Sequence, residues 1–125
     1  MDFFKIVDVW AGRADSEDRW LDYLRETITD DDEDPISEFA ADQREPFYDH
    51  DFLYTEFSAR PANLRERLRA VSSAATGAFD GWLASRDGDG PVNAVLMLFG
   101  EEVESPRDCD RPGIRLTYLG RFAAE

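Results

Sequence analysis

The sequence is poor in the residues that most small catalytic sites use. Its 125 residues include one cysteine, Cys109, one histidine, His50, and one lysine, Lys5. A single cysteine forms no intramolecular disulfide and no cysteine zinc site. The chain contains no Gly-x-Ser-x-Gly turn for a serine nucleophile, and no glycine-rich phosphate-binding loop precedes the lysine. Because Asp108 and Asp110 flank Cys109, we expect its thiol pKa to be raised and its nucleophilicity to be poor.

Long apolar runs are also missing. The longest, at 94–99, is far shorter than the ~18 residues that suggest a membrane-spanning helix. The amino terminus, Met-Asp, lacks the basic flank and apolar core of a secretory signal. The length suits one domain over 1–125, with no linker long enough to divide it. We therefore expect a single cytoplasmic domain that does not bind a membrane.

Positive charge is scarce, and the imbalance is concentrated in one half of the chain. The 14 basic and 28 acidic residues give a net charge of −14. Residues 1–58 hold 18 acidic and 5 basic residues (net −13), whereas 59–125 hold 10 and 9 (net −1). This asymmetry argues against a general adaptation to salt. A negative field repels nucleic acid and membrane phosphates and attracts basic proteins or divalent cations, so no direct binding of nucleic acid is expected.

The periodicity of apolar residues predicts an α+β fold. Runs of β-branched and aromatic residues predict strands at 3–10, ended by Ala11-Gly12, at 92–99 and at 114–122, with a bulge at Gly120 and a weaker strand at 51–57. Helical spacing predicts helices at 16–27, 35–42, 61–71 and 72–84, with Asp15 or Ser16 capping the first and Asp34 the second. A charged loop is predicted at 100–113. This order indicates a small, mostly antiparallel sheet covered by helices.

The most unusual stretch is 47–52, where three large rings surround two carboxylates and the histidine. Apolar rings favour burial and unpaired charges oppose it, so the segment is expected at a boundary, with its rings inward and its carboxylates at a rim. Five consecutive acids at 30–34 must be solvated. The candidate partner-binding residues are Asp30, Asp31, Asp32, Glu33, Asp34, Tyr48, Asp49, His50 and Asp51.

The acidic run does not match a calcium-binding loop. Asp30, Asp32 and Asp34 occupy the first three ligand positions of such a loop. However, Pro35 stands where glycine is needed, and Ala41 stands where the bidentate glutamate belongs. A solvated connector or a partner-facing rim accounts for the run better.

A metal or acid–base cluster is the remaining catalytic hypothesis. On a strand, Asp49 and Asp51 would share one face while His50 points to the other, which spoils a site built from adjacent residues alone. We therefore expect no metal and no cofactor. A small metal-binding or hydrolytic enzyme centred on His50 stays open as an alternative, and so does an acidic adaptor for a basic cellular protein.

Five short segments stand in an order that spans almost the whole chain. They are VWAG at 9–12, SEFAAD at 37–42, YDHDF at 48–52, NAVL at 93–96 and YLGRF at 118–122. Together they resemble the immunity protein 22 family, bacterial proteins found beside polymorphic toxins. The resemblance implies a non-catalytic α+β protein that binds and neutralises a cognate toxin, often a nuclease, in the producing cell.

The charge agrees independently with this resemblance. Nucleases are basic because they grip phosphates, so an acidic protein is steered towards them. Carboxylates would then stand in for phosphate oxygens. Phe47, Tyr48 or Phe52 would serve as desolvated anchors of the contact.

Overall fold

In a computed structural model, the described residues are 6–27, 30, 34–63, 91–100 and 102–123. The elements are β1 (Ile6–Ala14), α1 (Glu17–Leu24), α2 (Glu38–Asp42), a 3₁₀ turn (His50–Phe52), β2 (Leu53–Asn63), β3 (Pro91–Phe99), β4 (Cys109–Arg111) and β5 (Ile114–Ala123). The strands form one five-stranded sheet in the order β2-β3-β1-β5-β4, and the described pairings are antiparallel. The predicted α+β fold with an antiparallel sheet is confirmed.

Within the described residues, the helices that cover the sheet, α1 and α2, are both shorter than predicted. The predicted helix at 72–84 lies outside the described residues, as does most of the one at 61–71. At 61–63 the helix prediction is wrong: Ala62 and Asn63 continue β2 and pair with Val92 and Pro91. Proline at 61 is tolerated in β2 because this strand lies at the edge of the sheet. In the described part of the chain, no helix is long and apolar enough to cross a membrane.

The central strand β1 is buried on both faces. Val7, Val9 and Ala11 face one apolar cluster, and Trp10 lies in the other, with residues of α1 and α2. The Trp10 ring meets Phe39 of α2 edge-on, with centroids 5.1 Å apart. This second face of the sheet carries the helices and the 45–51 segment.

Strand β1 does not end at Ala11-Gly12 as predicted, but continues to Ala14. Gly12 lies in register with Leu116 of β5. A Cβ atom at Gly12 would lie 1.9 Å from the carbonyl oxygen of Arg115. The glycine is therefore required by the close approach of β5, and it is not a turn signal.

A serine caps each of α1 and α2. Of the two predicted caps of α1, Asp15 and Ser16, the serine is the cap and accepts a hydrogen bond from the Arg19 amide at 3.0 Å. The predicted cap of α2 at Asp34 is wrong, because Ser37 caps it and accepts from the Ala40 amide. The Ile36 amide donates to the Pro46 carbonyl at 3.0 Å. Because this contact occupies the Ile36 amide, residues 35–37 of the predicted helix are not helical, and α2 begins at Glu38.

The carboxy-terminal part departs from prediction at one point and agrees at another. Cys109–Arg111 forms a strand inside the predicted loop, too short to show any alternation. Two neighbouring residues of β1, Val9 and Trp10, pair with Gly120 and Tyr118 of β5. Leu119, between these partners, is therefore the extra residue of a bulge in β5. Gly120 has a φ of 141°, and the bulge predicted there is confirmed.

Candidate partner-binding surface

The described residues on the two sides of the acidic run, Thr27 and Ile36, are hydrogen-bonded to each other and are called the base of the acidic loop below. The Thr27 amide donates to the Ile36 carbonyl at 2.7 Å, directly after α1 and just before α2. Asp30 and Asp34 are exposed, and residues 31–33, which include Asp31, Asp32 and Glu33, lie outside the described residues. The base of the loop thus has a defined place between the two helices.

The second predicted cluster, at 49–51, belongs to the 45–51 segment, which contacts that base. The Ile36 amide donates to the Pro46 carbonyl of this segment, and the Tyr48 hydroxyl lies 3.3 Å from Ser37 Oγ. His50 Nδ1 lies 3.6 Å from Glu26 Oε1 at the end of the α1 region. The structure therefore brings together the described ends of the acidic loop and the 45–51 segment, which are separate in sequence.

The rings of this segment divide between core and solvent. Tyr48 is 1% exposed and packs edge-on against Phe39, with centroids 5.6 Å apart. Burial raises the pKa of Tyr48. Phe52 is half-buried against the same cluster. The expectation of inward rings holds for these two and is wrong for Phe47, which is 59% exposed.

Residues 49–51 do not form the strand considered from the sequence. Asp49 caps a 3₁₀ turn by accepting from the Asp51 amide at 3.0 Å, and His50 Nε2 lies 3.3 Å from Asp51 Oδ1. One potential ligand atom from each of the three residues lies within 4.8 Å of the others. His50 and Asp51 are exposed, and exposed acidic groups are common without an ion, so the geometry assigns no metal here.

The two carboxylates of α2, Glu38 and Asp42, are neutralised by arginines. Arg19 binds Glu38 through two hydrogen bonds of 3.0 and 2.9 Å. Arg111 Nε binds Asp42 at 2.8 Å, and Asp42 also accepts from the Tyr23 hydroxyl at 2.7 Å. The hydrogen bond from Arg19 lowers the pKa of Glu38. These acids hold α1, α2 and β4 together.

Acids beside the 45–51 segment bond to backbone amides instead. Glu102 accepts from the Asp49 amide at 2.9 Å, and Glu45 accepts from the Glu104 amide at 2.9 Å. A neutral amide donor leaves the formal negative charge unbalanced. Sequence reasoning missed Glu102 and Glu104, because they follow β3 and no local pattern links them to residue 49.

An open groove of about 380 Å³ lies at the loop base, lined by Thr27, Pro35 and Ile36. Its charged lining residues are two acids and two arginines in pairs, Asp22 with Arg25 and Glu38 with Arg111. Because these charges balance, the groove is a poorer match for a basic partner than the 45–51 side.

Cys109 is no candidate for catalysis. It is buried in β4, and burial is the main cause that raises the pKa of its thiol to about 12. Gln43 Nε2 donates to its sulfur at 3.3 Å. The predicted direction of the pKa is confirmed, although burial outweighs the effect of the neighbouring Asp108.

Comparison with protein families identifies the family of this chain. The family model described as Immunity protein 22 matches residues 7–125, essentially the whole chain. The chain belongs to the immunity protein 22 family. Comparisons with curated proteins and with solved structures gave no match. Membership of an immunity protein family supports, in general terms, a toxin-neutralising role through binding of a cognate toxin and favours a non-catalytic function.

In this immunity protein 22 domain, the SEFAAD segment builds α2. Ser37 caps the helix, and Phe39 and Ala40 are buried in the core. Glu38 and Asp42 form the salt bridges with arginine described above. Each of these side chains serves the fold. The YDHDF segment differs, because Tyr48 faces inward while His50 and Asp51 face solvent.

Proposed function

We propose that this protein binds and neutralises a basic, nuclease-like toxin in the cytoplasm of the producing cell, without catalysing a reaction. The contact is made by the acidic surface, defined as residues 30–34 and 49–51. One observation supports this assignment: Thr27 bonds to Ile36, and Glu26 lies beside His50, so the described ends of both acidic stretches meet.

The physical basis is electrostatic complementarity. A toxin that grips nucleic acid presents lysine and arginine side chains, which carboxylates engage by charge-assisted hydrogen bonds. Opposite charge also accelerates the encounter of two proteins. A protein held at such a groove excludes the phosphate backbone from it. Inhibition by occupation then requires no chemistry from the acidic protein.

The test compares two charge reversals of equal size at different places. Asp30→Lys/Asp51→Lys changes the acidic surface and spares Asp49, which caps the 3₁₀ turn. Asp15→Lys/Asp110→Lys is the matched control, because both residues are exposed and line a recess at the β4–β5 turn. The probe is an inactive form of the toxin encoded by the adjacent gene, and protection is measured by co-expression with the active form.

We expect the first variant to weaken toxin binding and protection while the second keeps both. Equal losses of toxin binding in the two variants would show that binding depends on the total charge of the protein and not on one localised surface. Wild-type protein that does not bind this toxin would contradict the proposal and favour an adaptor for a basic cellular protein.

The enzyme alternative has its own test. His50→Ala removes the only imidazole, so a hydrolytic or metal-dependent mechanism would lose protection while toxin binding persists. We expect His50→Ala to retain protection whenever it retains binding.

A further inference from the structure

Phe47 has the largest exposed fraction among the large apolar side chains of the described residues. It is 59% exposed, against 54% for Leu21 and 43% for Tyr54. Exposing a phenylalanine ring forfeits the favourable transfer of apolar area from water. A single exposed apolar residue is ordinary on a protein surface, so its surroundings decide what this one means.

The backbone on both sides of Phe47 is held in place. The Pro46 carbonyl accepts a hydrogen bond from the Ile36 amide at 3.0 Å. Tyr48 is buried, with its hydroxyl 3.3 Å from Ser37 Oγ. Pro46 and Phe47 are exposed and Tyr48 is buried, so the fixed backbone on both sides holds Phe47 at the surface. A side chain on a fixed backbone loses less conformational freedom when a partner covers it.

Carboxylates lie on both sides of the Phe47 segment. Glu45 contacts the Glu104 amide before the ring, and Glu102 contacts the Asp49 amide after it. These acids come from two separate parts of the chain. They adjoin the acidic surface at Asp49. An apolar centre with a polar, charged rim is the arrangement found at specific protein interfaces.

The other exposed apolar residues lack this setting. Leu21 lies on α1, one turn before Arg25, whose guanidinium pairs with Asp22 at 2.7 Å. Tyr54 lies in register with Met97, which belongs to the cluster on the opposite face of the sheet. Tyr54 thus lies on the other face of the sheet from the 45–51 segment, and Leu21 lies beside an arginine.

We propose that Phe47 is the anchor of the toxin contact: its ring enters an apolar pocket on the toxin that basic side chains flank. Glu45, Glu102 and Glu104 extend the acidic surface around this anchor. The inference rests on the proposed function and adds to it the shape of the partner site. The toxin therefore carries a pocket for an aromatic ring within its basic surface.

Anchor and rim act on different rate constants, which makes them separable. A buried ring slows dissociation, because leaving exposes it to water again. Rim charges act mainly on the association rate through long-range attraction. Phe47→Ala should therefore raise the dissociation rate of the complex, whereas Asp30→Lys/Asp51→Lys should mainly lower its association rate.

The experiment measures both rate constants with the inactive toxin of the adjacent gene at fixed salt. We expect Phe47→Ala to raise the dissociation rate by about tenfold or more and to change the association rate by less than about twofold. Tyr54→Ala is the matched control, an exposed aromatic residue on the other sheet face, and it should leave both rates unchanged. Thermal unfolding checks that each variant is folded, and removal of the exposed Phe47 ring should leave it unaltered.

An unchanged dissociation rate in folded Phe47→Ala overturns the anchor assignment. An equal effect of Tyr54→Ala overturns it as well. In either case the proposed function stands if wild-type protein binds and Asp30→Lys/Asp51→Lys weakens the contact. Failure of the wild-type protein to bind this toxin overturns both.

Discussion

Arg121 holds the carboxylate of Asp8 through two hydrogen bonds, from Nε to Oδ1 at 2.9 Å and from Nη2 to Oδ2 at 3.0 Å. The Tyr118 hydroxyl donates to the same Oδ1 at 2.6 Å. Asp8 is 0% exposed in the central strand. Tyr118 and Arg121 are three residues apart and would face opposite sides of a regular strand. The bulge at Gly120 turns both towards Asp8.

Loss of Arg121 should be among the most destabilising changes outside the apolar core. Arg121→Ala leaves a buried carboxylate without its cation, and we expect a loss of about 3–5 kcal/mol in the free energy of unfolding. Urea denaturation measures it. Arg115→Ala, on the same strand, is the control: its exposed guanidinium lies 3.8 Å from Asp110, so its loss should be about 0.5 kcal/mol or less. Equal losses of unfolding free energy in the two variants would show that the buried pair of Arg121 with Asp8 stabilises the fold no more than an exposed pair does.

The pairing of Glu38 with arginine predicts how stability responds to acid. Arg19 lowers the pKa of Glu38 below its ordinary value of 4.5. A depressed folded-state pKa gives stability that is fully present above the unfolded-state pKa and is lost as the pH falls through the folded value. We expect Glu38→Gln to cost about 1 kcal/mol at neutral pH, allowing for solvent screening of a side chain that is one-third exposed.

The pH profile separates this electrostatic effect from a loss of packing. The difference between wild-type protein and Glu38→Gln should shrink as the pH falls below 4.5, because the unfolded chain is protonated there first, and it should vanish once the folded carboxyl is protonated at lower pH. Asp110→Asn removes an exposed carboxylate with a weak partner and should leave the profile unchanged. A difference that stays constant down to acid unfolding would contradict the assignment.

Local signals predicted those elements whose causes are local. Ser16 follows an apolar strand and precedes two acids, and it caps α1, as one of the two predicted candidates. The apolar run at 92–99 became β3, and the phase change around Gly120 marked the bulge. In contrast, the α2 cap moved from Asp34 to Ser37 because Ile36 bonds to Pro46. That contact between two loops leaves no periodic pattern in the sequence.

The candidate site was predictable in composition but not in assembly. The run of five acids singled out 30–34, and rings around carboxylates singled out 47–52. Only the fold brings the described residues that flank the first stretch beside the second, through Thr27, Ile36 and His50. The sequence also did not distinguish exposed Phe47 from buried Tyr48, because both are aromatic and adjacent. The direction of each ring depends on Ser37 and Phe39, which Tyr48 contacts.

The end of α2 offers a stabilising substitution. The amides of Arg44 and Glu45 donate to the carbonyls of Ala41 and Ala40, which is the hydrogen-bonding pattern of a helix terminated by a left-handed residue. Arg44 is that residue, with a φ of 58°, a conformation that glycine adopts without strain. We expect Arg44→Gly to raise the free energy of unfolding by about 0.5–1 kcal/mol, measured by urea denaturation. Ala41→Gly, inside the same right-handed helix, should destabilise instead.

Salt tests whether attraction between opposite charges drives toxin binding. Screening shortens the reach of exposed charges, from about 14 Å at 0.05 M to about 4 Å at 0.5 M ionic strength. We expect the association rate of the wild-type protein to fall by about tenfold or more over this range, while the dissociation rate changes less. Stopped-flow mixing with the inactive toxin measures both. Asp30→Lys/Asp51→Lys should flatten the dependence, and Asp15→Lys/Asp110→Lys should preserve it. Parallel slopes for the two variants would mean that the encounter responds to total charge, which would remove the electrostatic reason for assigning contact to residues 30–34 and 49–51.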